Sequence, residues 1–222
     1  MPRSEISALL ALEWRNDRRQ KHLWGSMALY VVSTVYTCHL GVRRAPNVAL
    51  WNALLWVILL FAAFNALQRS FQREDSGRQL YLYTLAHPRS VVLARTLYNI
   101  AVMTVLALVR VAACVLFLGP DVLDTADTVL FLLAVWLGSV GFAASLTLIS
   151  AIAARAGSGL GLMAILGFPI VLPLLLSVMR ASKLALDGVA WSVTGNYLVA
   201  VLAINALATA LAAILFPYLW RD

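Results

Sequence analysis

Residues 71–90, FQREDSGRQLYLYTLAHPRS, hold the densest set of charged groups in a chain that is otherwise almost uniformly apolar. Arg73, Glu74, Asp75 and Arg78 surround Gly77, and Leu80, Leu82 and Leu85 follow. An acidic pair among bases can form charge-assisted hydrogen bonds with a facing surface. Leucines at helical spacing beside it can bury area against the same surface. The segment can present these side chains to a cytoplasmic partner, or be a solvated loop that only satisfies topology. Bond-making chemistry is not supported. No G-x-x-x-x-G-K-[ST] phosphate loop occurs, and the glycines at 157–161 lack its lysine. Gly138-Ser139-Val140-Gly141 does not have nucleophile-elbow spacing, and no histidine follows it. No acidic pair or metal-ligand cluster lies within an apolar run. The chain is therefore not expected to be an enzyme, and any ATP hydrolysis is expected on a separate subunit.

The remaining polar residues sit inside apolar runs. Arg110 is the most costly of them, because an arginine at the centre of a span costs about 2.5–3.5 kcal/mol on insertion scales. It is expected to snorkel to the outer headgroups or to pair with Asp121 or Asp124. Asn65, Asn99 and Asn205 are expected to hydrogen-bond between helices. Pro169 and Pro173, with Gly157, Gly159, Gly161 and Gly167, make their run breakable, since each proline removes a backbone bond. The result is either a static kink or a hinge. His39 reads as a polar residue near a membrane edge. Cys38 and Cys114 read as small buried side chains, and their spacing fits neither a zinc nor a c-type haem site. A pairing of the two near the outer face stays open. The seven tryptophans are scattered, so direct haem coordination is not expected and no cofactor is assigned to this chain.

These residues need elements to position them. The 222 residues are 62% hydrophobic and 12% charged, against about 25% charged in soluble domains, and the mean hydropathy is +0.86. A crossing needs about 20 mostly apolar residues. Six runs qualify, at about 23–41, 48–68, 91–118, 128–154, 160–179 and 194–219. Placing the N-terminus inside puts twelve of the seventeen Lys and Arg residues in inner segments and four in outer ones, with Arg110 in a span. The fold class is all-α integral membrane, with six transmembrane helices and both termini cytoplasmic. The +7 net charge follows from this bias and from attraction to anionic lipid, so no nucleic-acid partner is expected. The first run is long for a signal peptide, and residues 1–22 are expected to remain in the mature protein. Residues 4–21 read as an amphipathic helix on the inner leaflet, with Ile6, Leu9, Leu10 and Trp14 on one face and Arg15, Arg18 and Arg19 elsewhere. The 71–90 segment reads as a cytoplasmic loop with a short helix that Pro88 ends, after which Ser90 caps the third span.

Three stretches, ALLALEWRNDRRQ (8–20), FQREDSGRQLYLYTLAHPRSVVLAR (71–95) and GFPIVLPLLL (167–176), give the chain a resemblance to the haem-exporter protein B family (CcmB-like). That family supplies the membrane subunit of the ABC complex of cytochrome c maturation. The resemblance covers the chain in order, including its length and span count. Tyr81, Tyr83, the single Pro88 and Phe168 depart from the family pattern. The resemblance implies one ABC-exporter-type transmembrane domain over residues 1–222. It also implies a coupling helix between spans two and three that docks on a separate cytoplasmic ABC ATPase subunit through Arg73, Glu74, Asp75, Gly77, Arg78, Leu80, Leu82 and Leu85. A second copy of the chain, a haem-handling membrane partner and a small membrane subunit are the further partners implied. ATP would be bound by the partner and haem handled by the complex, in a bacterial inner membrane. ATP turnover would drive haem export or release of a haem-loaded chaperone. The alternatives are an exporter subunit for a lipid, polysaccharide or drug, and a scaffold that moves nothing across.

Overall fold

The structure, a computed structural model, describes residues 2–19, 21–41, 47–67, 87–156 and 160–221. Among them are seven α-helices and no strand: α1 (Pro2–Arg19), α2 (Lys21–Gly41), α3 (Val48–Leu67), α4 (Pro88–Leu118), α5 (Thr128–Arg155), α6 (Leu160–Leu186) and α7 (Trp191–Arg221). Helices are what this composition permits. In hydrocarbon every backbone donor and acceptor must be satisfied within the protein, and a helix does so by itself. Five of them, α3 to α7, are long and apolar enough to cross a membrane. The sequence reading counted six. The missing one is α2, which has the length, 21 residues, but is diluted by Ser26, Tyr30, Ser33, Thr34, Tyr36, Thr37 and His39. Its hydroxyls turn inward on the helix: Thr34 donates to Tyr30 O at 2.6 Å and Thr37 to Ser33 O at 2.8 Å.

Helix α5 is the centre of the bundle, and every residue from 141 to 150 is buried. Lipid tails are as apolar as leucine, so close packing rather than water exclusion holds such helices together. The small residues of α5 provide it. Gly138 lies against the Trp56 ring of α3 and Val178 of α6, and Gly141 against Asn205 of α7 and Leu174 of α6. Gly167 of α6 receives Phe64 of α3 in the same way, and Phe64 stacks on Phe168 with centroids 5.6 Å apart. Of the asparagines, Asn99 donates to Thr147 Oγ1 (2.8 Å) and Asn205 to Leu137 O (2.9 Å), each joining two helices as expected. Asn65 instead donates to Phe61 O of its own helix.

A polar knot that the sequence reading missed joins α3 to α6. Trp56 Nε1 donates to Ser182 Oγ (2.7 Å), Asn52 Nδ2 donates to Met179 O (2.8 Å), and Ser182 Oγ lies 2.7 Å from both Asn52 Oδ1 and Val178 O. All three side chains are buried. Replacing Ser182 by alanine removes only the hydroxyl and leaves the indole N–H and the amide oxygen without partners. About 1–3 kcal/mol of stability should be lost, read as a lower unfolding midpoint in lipid or mild detergent, and Ser182→Thr should recover most of it.

The helix α6 continues unbroken through Pro169 and Pro173, both of which are exposed. Ser177 Oγ donates to Pro173 O at 2.8 Å. At the opposite end from the 68–86 segment, Asp127 caps α5 by accepting from Leu130 N (3.0 Å) and also accepts from Trp191 Nε1 (2.6 Å). The backbone of Asp127 donates to Ala185 O (2.9 Å). These bonds tie the connections before α5 and α7 together. Gly188 turns between them at φ 68°, with Thr125 O 2.6 Å from where a Cβ would stand, so only glycine fits that corner.

Candidate functional site

Arg73, Glu74, Asp75, Gly77, Arg78, Leu80, Leu82 and Leu85, the residues assigned to docking, lie outside the described residues. The structure does show where that segment re-enters the bundle. Pro88 is the first residue of α4, following His87 in an extended conformation (φ −70°, ψ 135°) with no side-chain cap from His87 itself. This corrects the expectation that Ser90 caps the span; the short helix expected before Pro88 lies outside the described residues. Proline at the first helical position has its φ already set and has no N–H to leave unpaired, so the helix starts earlier and Ser90 falls within its first turn.

The cap comes from α1. Glu5 Oε1 accepts the backbone N–H of His87 (2.7 Å), and Oε2 accepts the Ser90 hydroxyl (3.0 Å). Four residues on, Leu9 packs against a cluster of Val91, Val92, Leu148, Ala151, Ala212 and Phe216. Four further, Glu13 Oε1 pairs with Arg95 Nε at 3.2 Å. Four further again, Asp17 Oδ2 accepts from Tyr98 OH at 2.6 Å. Positions four apart share a helix face. The register climbs together on both chains, so α1 runs alongside the first three turns of α4 in the same direction. At 31 residues, α4 is about 46 Å long against a hydrocarbon core of about 30 Å. It therefore extends beyond that core, and its basic, hydroxyl-bearing first turns are the part that α1 accompanies.

The inward face of α1 is thus three acids around one leucine. Trp14, expected on the apolar face, is 57% exposed, while Arg15 and Arg18 are exposed on other sides as expected. The signal for the acidic face was available in the spacing Glu5-Leu9-Glu13-Asp17, but its complement 82 residues later could not be read from α1 alone.

The His87 N–H, and after it the Ser90 hydroxyl, hold the Glu5 carboxyl below the usual glutamate range, against an opposing push from partial desolvation. A carboxylate with a depressed value stabilises the docked helix above the unfolded titration range and loses that contribution as pH falls through the depressed value. Amide hydrogen exchange along residues 5–17, corrected for its intrinsic pH dependence, should therefore accelerate on acidification from pH 7. Glu5→Gln should exchange faster at neutral pH and show a flatter pH response. An unchanged response would mean that Glu5 does not hold α1.

Further along α4, Arg110 is completely buried. It does not reach the headgroups, nor does it pair with Asp121 or Asp124. Its Nη2 donates to Leu54 O of α3 at 2.9 Å, and Nε and Nη1 have no hydrogen-bond partner. The carbonyl of α3 draws the side chain sideways into the bundle rather than outward. Cys114 stands one turn further along α4. Both cysteines are free thiols.

Comparison with known proteins adds one finding. A family model described as CcmB protein matches residues 5–217, from the Glu5 cap of α4 to near the end of α7. No curated protein and no solved structure matches the chain.

Proposed function

Because the chain belongs to the CcmB family, the membrane component of the haem-exporting ABC transporter of cytochrome c maturation, we propose that it converts ATP turnover in a separate subunit into movement of its own helices. The family component is a multi-pass permease subunit and not itself catalytic. The finer reading is ours. Residues 71–86 dock on a cytoplasmic ABC ATPase through Glu74, Asp75 and the bases and leucines around them, and α2 serves as the sixth span, with both chain ends on the ATPase side. Two copies of the chain, a haem-handling membrane protein and a small membrane subunit complete the assembly in a bacterial inner membrane. Pro169 and Pro173 give α6 its freedom to bend, since the carbonyls of Ile165 and Pro169 face prolines that carry no N–H. The work performed on haem is its export or the release of its loaded chaperone.

The observation that supports this reading is the fixed junction after the docking segment. With Glu5, Glu13 and Asp17 holding the first turns of α4, a pull on residues 71–86 reaches a stiff rod that runs the length of the bundle. Coupling needs contacts that differ between two states, and a rigid connection delivers them. The test is co-purification with the ATPase subunit and ATP turnover in lipid, comparing wild type with Glu74→Ala/Asp75→Ala. Loss of docking, or turnover no longer linked to chaperone release, is expected. If no ATPase associates, or the double substitution leaves assembly, turnover and release unchanged, the docking reading fails.

A further inference from the structure

A buried guanidinium with free donors stands in the outer half of α4. Arg110 lies eight residues before the end of the helix at Leu118, about 12 Å at 1.5 Å per residue, and no part of it reaches the surface. Of its five N–H donors, only those on Nη2 have an acceptor, Leu54 O; Nε and Nη1, which carry three, have none. Among the described residues no carboxylate pairs with it. Helices α2 to α7 include no Asp or Glu at all. A charge buried in hydrocarbon without a counter-ion is expensive, and such residues commonly mark substrate pathways. An approach exists on the α2 side. A groove of about 310 Å³ opens between α2 and α3, lined by Ser26, Met27, Tyr30, Ala62 and Asn65. Its nearest α3 residue, Ala62, lies eight residues along the helix from Leu54, about 12 Å at 1.5 Å per residue.

We propose that Arg110 is the receiving site for a carboxylate carried by an otherwise apolar ligand, which enters along the seam between α2 and α3 and supplies the missing counter-ion. The chemical class follows from the surroundings. The anion must cross apolar packing, so it needs an apolar body, and it must accept several N–H donors from one planar group, which carboxylate geometry suits. Arg110 is fully buried, so admission requires the helices packed around it to shift. Resting on the haem-handling reading above, the inference names the feature of that cargo recognised here: its carboxylate side chains rather than its iron.

The test uses the full chain in lipid nanodiscs, without partner subunits, titrated with haem and with haem dimethyl ester, in which both carboxylates are capped. Wild type should bind the acid at least tenfold more tightly than the ester. Arg110→Met, close in shape and free of charge, should erase that preference, and Arg110→Lys should keep part of it. If Arg110→Met does not fold, the acid-to-ester ratio of wild type and of Arg110→Lys still decides. Equal binding of acid and ester by wild type, or an undiminished preference in Arg110→Met, overturns the inference. ATPase co-purification and turnover are measured on the same variants. A complex that assembles and turns over but shows no carboxylate preference sinks this inference alone. Failure of wild type to associate with an ATPase sinks the coupling reading alone.

Discussion

Glu13→Lys is expected to release α1 from the base of α4. Arg95, the partner of Glu13, is 4% exposed, so the substitution sets two cations against each other where little water can screen them. Breaking a buried ion pair costs about 3–5 kcal/mol. The lower end applies here, because Glu13 is partly exposed and Arg95 has further interactions. Leu9, the Glu5 cap and the Asp17–Tyr98 bond also hold the docked helix, and these should not retain it against the repulsion of two cations. Hydrogen exchange along α1 should rise by about two orders of magnitude, from that loss at 1.4 kcal/mol per tenfold. ATP turnover in the assembled complex should lose its response to the rest of the membrane subunit. Trp14→Lys, one residue along on the exposed side, should do neither. The charge swap Glu13→Lys/Arg95→Glu should restore part of the protection, which separates the ion pair from a general effect of adding positive charge. If Glu13→Lys leaves α1 as protected as in wild type, the clamp is not what holds it.

Gly138→Val should have the larger effect on folding itself. A Cβ at this position would run into the distal edge of the Trp56 ring and stand 3.2 Å from Val178 Cγ1. The ring cannot retreat easily. It is fully buried, meets Phe142 edge-on at a centroid distance of 6.0 Å, and is tethered through Nε1 to Ser182. Overpacking costs about 1–3 kcal/mol when side chains can rearrange, and more when they cannot; here the wedge would part α3, α5 and α6 together and undo the polar knot between two of them. The expected result is a sharp drop in the fraction of chain extracted as a single species, with a lower unfolding midpoint in what remains. Gly25→Ala in α2 and Gly161→Ala in α6 serve as comparisons, because nothing lies within 4 Å of a Cβ at either site. Exchanging glycine for alanine in an open helical position gains up to about 1 kcal/mol. A Gly138→Val chain as stable as wild type would show that α3 and α5 do not meet there.

The helices were legible because an apolar run of twenty residues has one stable form in lipid, and the runs read at 48–68, 128–154 and 194–219 are indeed helical at α3, α5 and α7. What resisted reading was pairing across distance. Asn52 and Ser182 carry no signal of each other in the sequence, and only the packing of α3 on α6 makes them a unit. Asn99 and Asn205 could be assigned to interhelical bonds from their type alone, yet the same rule misjudged Asn65, which lies exposed on α3 where its own helix offers the nearest acceptor. Arg110 was read outward because arginine is long and headgroups are the usual destination; the nearby carbonyl of Leu54 could not be foreseen from α4. At the start of α4 two local signals competed, Ser90 as the cap and Pro88 as the first helical residue. The Glu5 carboxylate decided between them from the other end of the sequence. The residues named for docking stay a matter for the experiments above, since none lies among the described residues.

The modest apolarity of α2 bears on how the chain is made. A helix with three threonine and serine hydroxyls and two tyrosines in its middle partitions weakly from the translocon into lipid when it emerges alone. Its strongest companion is α4, against which Tyr36 places its ring edge-on to Phe117 at 5.5 Å, and α4 is synthesised some seventy residues later. During that interval the ribosome continues past α3 while α2 still lacks the helix it packs against. Biogenesis of this chain therefore favours a cell that slows elongation, or supplies an insertase to shelter α2, until α4 arrives to retain it.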